Sequence, residues 1–142
     1  MVNKLRVLIL CTGNSARSQM AEGLLRYDGG EFFAVESAGV KPGSVRPEAV
    51  EVMKELGIDI TGHWSKSVEV FIGQSFDYII TVCDHAKETC PVFPGSAKRI
   101  HQSFEDPPSP GAATPEMTLA TFRKVRDEIR LWMANFIATA KG

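Results

Sequence analysis

Cys11 and Arg17 stand six positions apart in Cys11-Thr12-Gly13-Asn14-Ser15-Ala16-Arg17-Ser18, a spacing that can bring a thiol and a guanidinium to one anion. The small residues from Thr12 to Ala16 allow successive backbone N–H groups to turn inward as an anion nest. A helix beginning just after them adds partial positive charge. The planar fork of Arg17 can grip two oxygens of a tetrahedral oxyanion, and the same positive field favours the Cys11 thiolate, the nucleophilic form. Ser18 is placed to donate a hydrogen bond to the sulfur, and equally to cap a helix. No Gly-Lys-Ser/Thr follows the loop, which excludes a Walker-type nucleotide site. An oxygen departing from the attacked centre needs a proton. Asp106, in Asp106-Pro107-Pro108, is the candidate general acid, although the same tripeptide is also ordinary turn chemistry.

Cys83 and Cys90 lie seven residues apart. A helix between them would hold the sulfurs roughly 10 Å apart at 1.5 Å of rise per residue. Their pairing therefore requires Asp84 to Thr89 to loop or unwind, and the segment is expected to be mobile. Zinc held by Cys83, His85 and Cys90 lacks a fourth ligand at a standard spacing, so no metal site is expected. His63, His85 and His101 read as surface or internally satisfied residues, and Trp64 and Trp132 as packing residues. Three cysteines are too few, and odd in number, for the disulfide framework of a small secreted scaffold.

These side chains need a scaffold that delivers them to one place. The run Leu5 to Leu10, aliphatic and rich in β-branched residues, predicts a strand buried on both faces of a parallel sheet. It ends on Cys11. Arg17 to Tyr27 then carries Met20, Leu24 and Tyr27 at helical spacing, closed by Gly29-Gly30. Phe32 to Val35 reads as a second strand. A Gly/Pro loop leads to a helix with Pro47 in its first turn, Val50, Met53 and Leu56 on its buried stripe, and Gly57 past its end. Asp77 to Val82 predicts a third buried strand that delivers Cys83 as the first delivers Cys11. Arg99 to Phe104 is a shorter fourth strand, Asp106 to Pro115 a surface loop, and Glu116 to Ala140 a long amphipathic helix.

Strands alternating with helices at this length imply an α/β fold: one domain over residues 1–142, with a four-stranded parallel sheet and helices on both faces. In such sheets ligands sit beyond the carboxyl ends of the strands, so Cys11 and Cys83 are expected to face one crevice. Sixteen Lys and Arg against seventeen Asp and Glu give a net charge of -1, which offers no global field toward nucleic acid or anionic membranes. The longest unbroken apolar run is the five residues Val7 to Cys11, far short of the ~20 that span a bilayer. That run is also too short for a signal peptide, and a cytoplasmic chain is expected.

The set Cys11 to Glu22 (CTGNSARSQMAE), Ser37-Ala38-Gly39, Thr81-Val82-Cys83 to Cys90-Pro91, and Asp106-Pro107 resembles the thioredoxin-coupled arsenate reductases. These share the low-molecular-weight protein tyrosine phosphatase fold, and the likeness runs in order from about Leu5 to the final helix. The resemblance implies that Cys11 attacks As(V), that Arg17 and the amides of Thr12 to Ser18 hold the oxygens, and that Asp106 protonates the leaving hydroxyl. It further implies that Cys83 resolves the adduct, that Cys90 attacks Cys83, and that thioredoxin reduces the Cys83–Cys90 disulfide. Phosphate and sulfate are implied as competing oxyanions, and a monomer as the working form.

Ala16 and Gln19 depart from the tyrosine phosphatase loop toward the reductases. No aromatic lies between Gly39 and Pro47 and no tyrosine follows Asp106, so walls for a phosphotyrosine ring are missing. Some relatives bind potassium beside the loop. Asn14, Glu22 and Ser37 match three of those positions, but Lys66 and Ser67 stand where a fourth, acidic ligand is expected, so no tightly bound cofactor is expected here. Two other readings remain open: a phosphatase needing only Cys11, Arg17 and Asp106, and a non-catalytic oxyanion-binding or redox-sensing module.

Overall fold

Val7, Leu8, Ile9 and Leu10 are all fully buried, which consecutive strand residues achieve only when both faces of their sheet are covered. They belong to β1 (Leu5–Cys11) of the computed structural model, which describes residues 3–141. The chain continues through α1 (Arg17–Gly29), β2 (Phe33–Gly39), α2 (Pro47–Lys54), a 3-10 turn (Val68–Phe71), β3 (Tyr78–Thr81), α3 (Asp84–Thr89), β4 (Lys98–His101) and α4 (Pro115–Lys141). The four strands form one parallel sheet in the order β2-β1-β3-β4. This is the expected fold class. The chain leaves β1 for β2 on one side and then crosses to β3 on the other, so the strand order reverses beside the carboxyl end of β1.

The register fixes what each face meets. Phe33 and Tyr78 pair with Leu5 and Val7, which share one face of β1. There Phe136 of α4 lies 5.4 Å from the Phe33 ring and 5.0 Å from the Tyr78 ring. The rest of α4's inner stripe, Phe122, Val125, Ile129 and Met133, is fully buried, each such side chain contributing about 1.5–3 kcal/mol of transfer free energy. On the opposite face, Ile79 and Thr81 pair with Arg99 and His101. These four side chains, with Lys87 and Cys90 from the α3 region, line a cavity of about 290 Å³. Among the described residues no helix is long and apolar enough to cross a membrane.

Four local expectations are corrected. The second strand runs on to Gly39, because the small residues Ser37-Ala38-Gly39, which look like loop, pair with Ile9, Leu10 and Cys11. The fourth strand is shorter and ends at His101, although Gln102 and Phe104 still donate backbone bonds to Thr81 and Val82 across an irregular continuation. Tyr27 is 60% exposed, since α1 buries its Met20, Ala21, Leu24 and Leu25 side instead. Trp64 is exposed as well, its ring standing over the Lys66 ammonium rather than in the core. The Asp84 to Thr89 segment is a six-residue helix in which only Ala86 is buried.

Candidate active site

Cys11 is the last residue of β1, and the loop Thr12 to Ala16 curls from it into α1. A strap from Val40 to Arg46 takes the loop's carbonyls outward. The Val40, Lys41, Gly43 and Arg46 amides donate to the carbonyls of Cys11, Thr12, Gly13 and Ser15 at 3.3, 2.8, 3.0 and 2.9 Å. Among the described residues no backbone carbonyl accepts from the N–H groups of Thr12, Gly13, Asn14, Ser15 or Ala16; the Thr12 N–H faces the Cys11 sulfur, and the others remain to meet an anion. Asn14 bends the loop with a φ of 50°, the one non-glycine residue in the left-handed region among those described. Gly39 lies directly beneath: a Cβ there would stand 2.6 Å from the Thr12 carbonyl oxygen and 2.9 Å from the Asn14 nitrogen. Only glycine permits that approach.

Arg17, in the first turn of α1, points back across the loop. Its Nη1 donates to the Phe104 carbonyl at 3.1 Å, and its Nη2 lies 3.5 Å from the Asp106 carboxylate. The Pro-rich loop thus brings Asp106, 73% exposed, to the same mouth. Arg46 ties the strap to that loop by donating to the Pro108 carbonyl at 3.0 Å. Ser18 is placed differently from the expectation. It is fully buried and its hydroxyl accepts from the Asn14 amide at 2.8 Å, because the left-handed Asn14 turns its side chain under the helix; no hydrogen bond joins Ser18 to Cys11. Ala16, which has no side-chain cap to offer, occupies the N-cap position.

Cys11 and Cys83 meet, as the two strand ends predict. The two thiols stand close enough to shift each other's protonation, and the Thr12 hydroxyl lies 3.3 Å from the Cys83 sulfur. The neighbouring Cys83 and burial push the Cys11 thiol up from its ordinary value, against the pull of Arg17. The neighbouring Cys11 lowers Cys83 to about 5; burial opposes the shift, while the Thr12 hydroxyl, the Ala86 amide and Arg17 reinforce it. Arg17 favours a thiolate at the pair, and the Thr12 hydroxyl and the Ala86 amide add donors on the Cys83 side.

Cys90 lies apart, at the far end of α3, and all three cysteines are reduced. Its sulfur accepts from Arg99 at 3.2 Å, and Arg99 also donates to the Pro91 carbonyl at 3.2 Å. The start of α3 is pinned: His101 bridges Thr81 at 2.7 Å and the Asp84 carboxylate at 2.8 Å. The sequence places Thr12 in the nest but gives no sign of its contact with Cys83, nor of the roles of Arg99 and His101. Strand register alone brings these last two under α3, and no local spacing signals it.

A polar cluster supports the loop from behind. The Asn14 amide donates to Ser37 at 2.9 Å, Ser37 donates to Glu22 at 2.5 Å, and the Asn14 side-chain oxygen accepts from Gln19 and from the Lys66 backbone at 3.0 and 2.9 Å. Glu22 also faces Arg26 at 3.2 Å, His63 at 3.7 Å and the Lys66 ammonium at 3.8 Å. Burial is the larger effect on His63 and lowers its pKa below the ordinary histidine range, despite Glu22. These residues do not fit a potassium ion. The oxygens that would ligate it already accept from neighbouring donors, and the place of a fourth carboxylate is taken by an ammonium.

Residues 6–141 match the family described as low molecular weight phosphotyrosine protein phosphatase. The chain belongs to this family. An arsenate reductase of Halalkalibacterium halodurans is 42% identical over 140 residues, which are 99% of this chain and 100% of that protein. A solved arsenate reductase in the phosphate binding state is 33% identical with a TM-score of 0.76, covering 95% of this chain and 98% of that one. The low molecular weight protein tyrosine phosphatase from T. tengcongensis is 29% identical, also with a TM-score of 0.76, covering 96% and 99%. Within the low molecular weight phosphotyrosine protein phosphatase family, phosphoester hydrolysis through Cys11, Arg17 and Asp106 would leave Cys83 and Cys90 without a task.

Proposed function

We propose that this protein reduces arsenate to arsenite through a relay of Cys11, Cys83 and Cys90 that thioredoxin regenerates. One observation carries the reading: a second thiol, Cys83, stands beside the nucleophile Cys11, and the Thr12 hydroxyl of the loop lies 3.3 Å from its sulfur. Hydrolysis needs only water after the adduct forms, whereas reduction needs a second thiolate within reach.

Arsenate sits on the amides of Thr12 to Ser18 with two oxygens on Arg17, and the proton shared by the thiol pair passes to Cys83 as the Cys11 sulfur attacks arsenic. The As–O bond breaks, and Asp106 protonates the departing hydroxide to water. Cys83 returns its proton to an arsenate oxygen and attacks the Cys11 sulfur. The S–As bond breaks with its electron pair on arsenic, giving arsenite and a Cys11–Cys83 disulfide. Cys90 then attacks Cys83, restores the Cys11 thiolate and leaves Cys83–Cys90 for the dithiol of thioredoxin. Because α3 separates the last two sulfurs, that step requires α3 to unwind.

The reading includes phosphate and sulfate as competitors, a cytoplasmic monomer, no nucleic-acid or membrane partner, and no tightly bound cofactor. Its test is arsenate-dependent NADPH oxidation with thioredoxin and thioredoxin reductase. Turnover in the wild type that is lost in Cys11→Ser, Cys83→Ser and Cys90→Ser supports the relay. Without such turnover, p-nitrophenyl phosphate hydrolysis that survives Cys83→Ser makes the protein a phosphatase. Phosphate binding with no turnover in either assay leaves a non-catalytic oxyanion module.

A further inference from the structure

We propose that Lys66 is a positioning residue for the anion loop, its ammonium serving as a tethered cation that makes the loop independent of dissolved monovalent cations. The observations form a closed ring. The Lys66 backbone N–H donates to the Asn14 side chain at 2.9 Å, Asn14 donates to Ser37 at 2.9 Å, and Ser37 donates to Glu22 at 2.5 Å. The Lys66 ammonium, 3.8 Å from the Glu22 carboxylate and 2.9 Å from that of Glu36, returns the ring to its start. The same residue accepts from the Gly39 amide at 2.8 Å, directly under the loop. One side chain therefore neutralises the buried carboxylate that orients Ser37, while its backbone holds the one left-handed non-glycine residue of the loop.

Burial selects Lys66 among the cations around Glu22. The Glu22 side chain is 3% exposed, Lys66 11% and Arg26 47%, so the ammonium acts where solvent screens least. His63 does not supply the charge, because burial disfavours its protonated form. The Trp64 and Phe71 rings stand 5.1 and 5.7 Å from the ammonium and shield it further. A free cation placed against Glu22 would have to displace this ammonium. The inference rests on the loop's reading as an oxyanion cradle but not on the cysteine relay.

The test compares the wild type with Lys66→Ala and Lys66→Arg in KCl, NaCl and choline chloride at equal ionic strength. The readouts are melting temperature and the affinity for inorganic phosphate, taken from the melting-temperature shift it produces. The wild type is expected to behave alike in the three salts. Lys66→Ala is expected to melt lower and to bind phosphate about 10–100-fold more weakly, as losses of such supporting groups commonly do. KCl, and not choline chloride, should restore part of that loss by placing an ion in the vacated space, and Lys66→Arg should restore it in every salt. Lys66→Met, which keeps the apolar stem, replaces the alanine variant if that fails to fold.

Selective stabilisation of the wild type by potassium overturns the inference. So does a Lys66→Ala protein indistinguishable from wild type, or one whose defect neither KCl nor Lys66→Arg relieves. A wild type with no phosphate response would count against the oxyanion reading instead, and its melting temperature in the three salts would still decide the role of Lys66.

Discussion

The loop from Cys11 to Ser18 and the helix from Asp84 to Thr89 both follow a strand and both begin beside a cysteine, yet the molecule holds them very differently. The loop is fixed from three sides: four strap amides on its carbonyls, Gly39 beneath it, and a buried cluster through Asn14. The helix has one buried residue, Ala86, a pin at its first turn through Asp84 and His101, and a tether at its far end through Arg99. The difference matches what each would have to do. A cradle for a tetrahedral anion gains from donors that need no reorganisation. A segment that must bring Cys90 to Cys83 gains from contacts cheap enough to break.

The largest effect should come from stiffening the comparison's rigid side where it has no slack. Gly39→Ala places a Cβ against the Thr12 carbonyl and the Asn14 nitrogen, so the loop must shift. Loss of phosphate binding by at least about 100-fold is expected from a displacement of this kind, with about 1–3 kcal/mol of destabilisation by overpacking. Phosphate titration and chemical denaturation measure the two. Unchanged phosphate affinity would mean that the loop is softer than its contacts imply.

A smaller effect should appear in the thiol pair that joins the two regions. Cys83 is lowered to about 5 chiefly by its interaction with Cys11. Thiolate absorbance near 240 nm in the Cys90→Ser protein should therefore persist at pH 7 and disappear as pH falls through about 5, where Cys83 takes up its proton. In Cys11→Ala the thiol beside Cys83 is gone, and the loss should move to higher pH. An unshifted curve would assign the thiolate to Thr12 and α3 rather than to the pair.

The smallest effect is expected at the pin. Asp84→Asn removes a carboxylate that both pairs with His101 and stands in the first turn of α3. Its contribution to that helix end is about 0.3–1 kcal/mol. Hydrogen exchange should quicken at residues 85–89 and stay unchanged at residues 12–18. Equal protection of the two segments in the unsubstituted protein would erase the contrast between them.

The sequence discloses the rigid region better than the loose one. Cys11, Arg17 and the small residues between them lie within one strand-loop-helix unit, so their meeting follows from local geometry, as does that of Cys83 with Cys11 once both sit at strand ends. What is not legible depends on register or on irregular chain. The extension of β2 through Ser37-Ala38-Gly39 comes from pairing with β1, which those small residues do not announce. Lys66 reaches Glu22 from a stretch with no periodicity, and Arg99 reaches Cys90 only because β4 pairs with β3. The loop's positive field is visible in the sequence, whereas the donors around Cys83, the Thr12 hydroxyl and the Ala86 amide, meet it only in the folded chain.

The central claim, that a rigid cradle hands its adduct to a neighbouring thiolate, is tested most directly in a single turnover. Reduced Cys90→Ser protein is mixed with excess arsenate without thioredoxin, and arsenite and disulfides are counted by chromatography and peptide mass spectrometry. The account predicts one arsenite per chain, in step with one Cys11–Cys83 disulfide, and none from Cys83→Ser. Intact thiols with no arsenite formed, or arsenite appearing equally in Cys83→Ser, would contradict it.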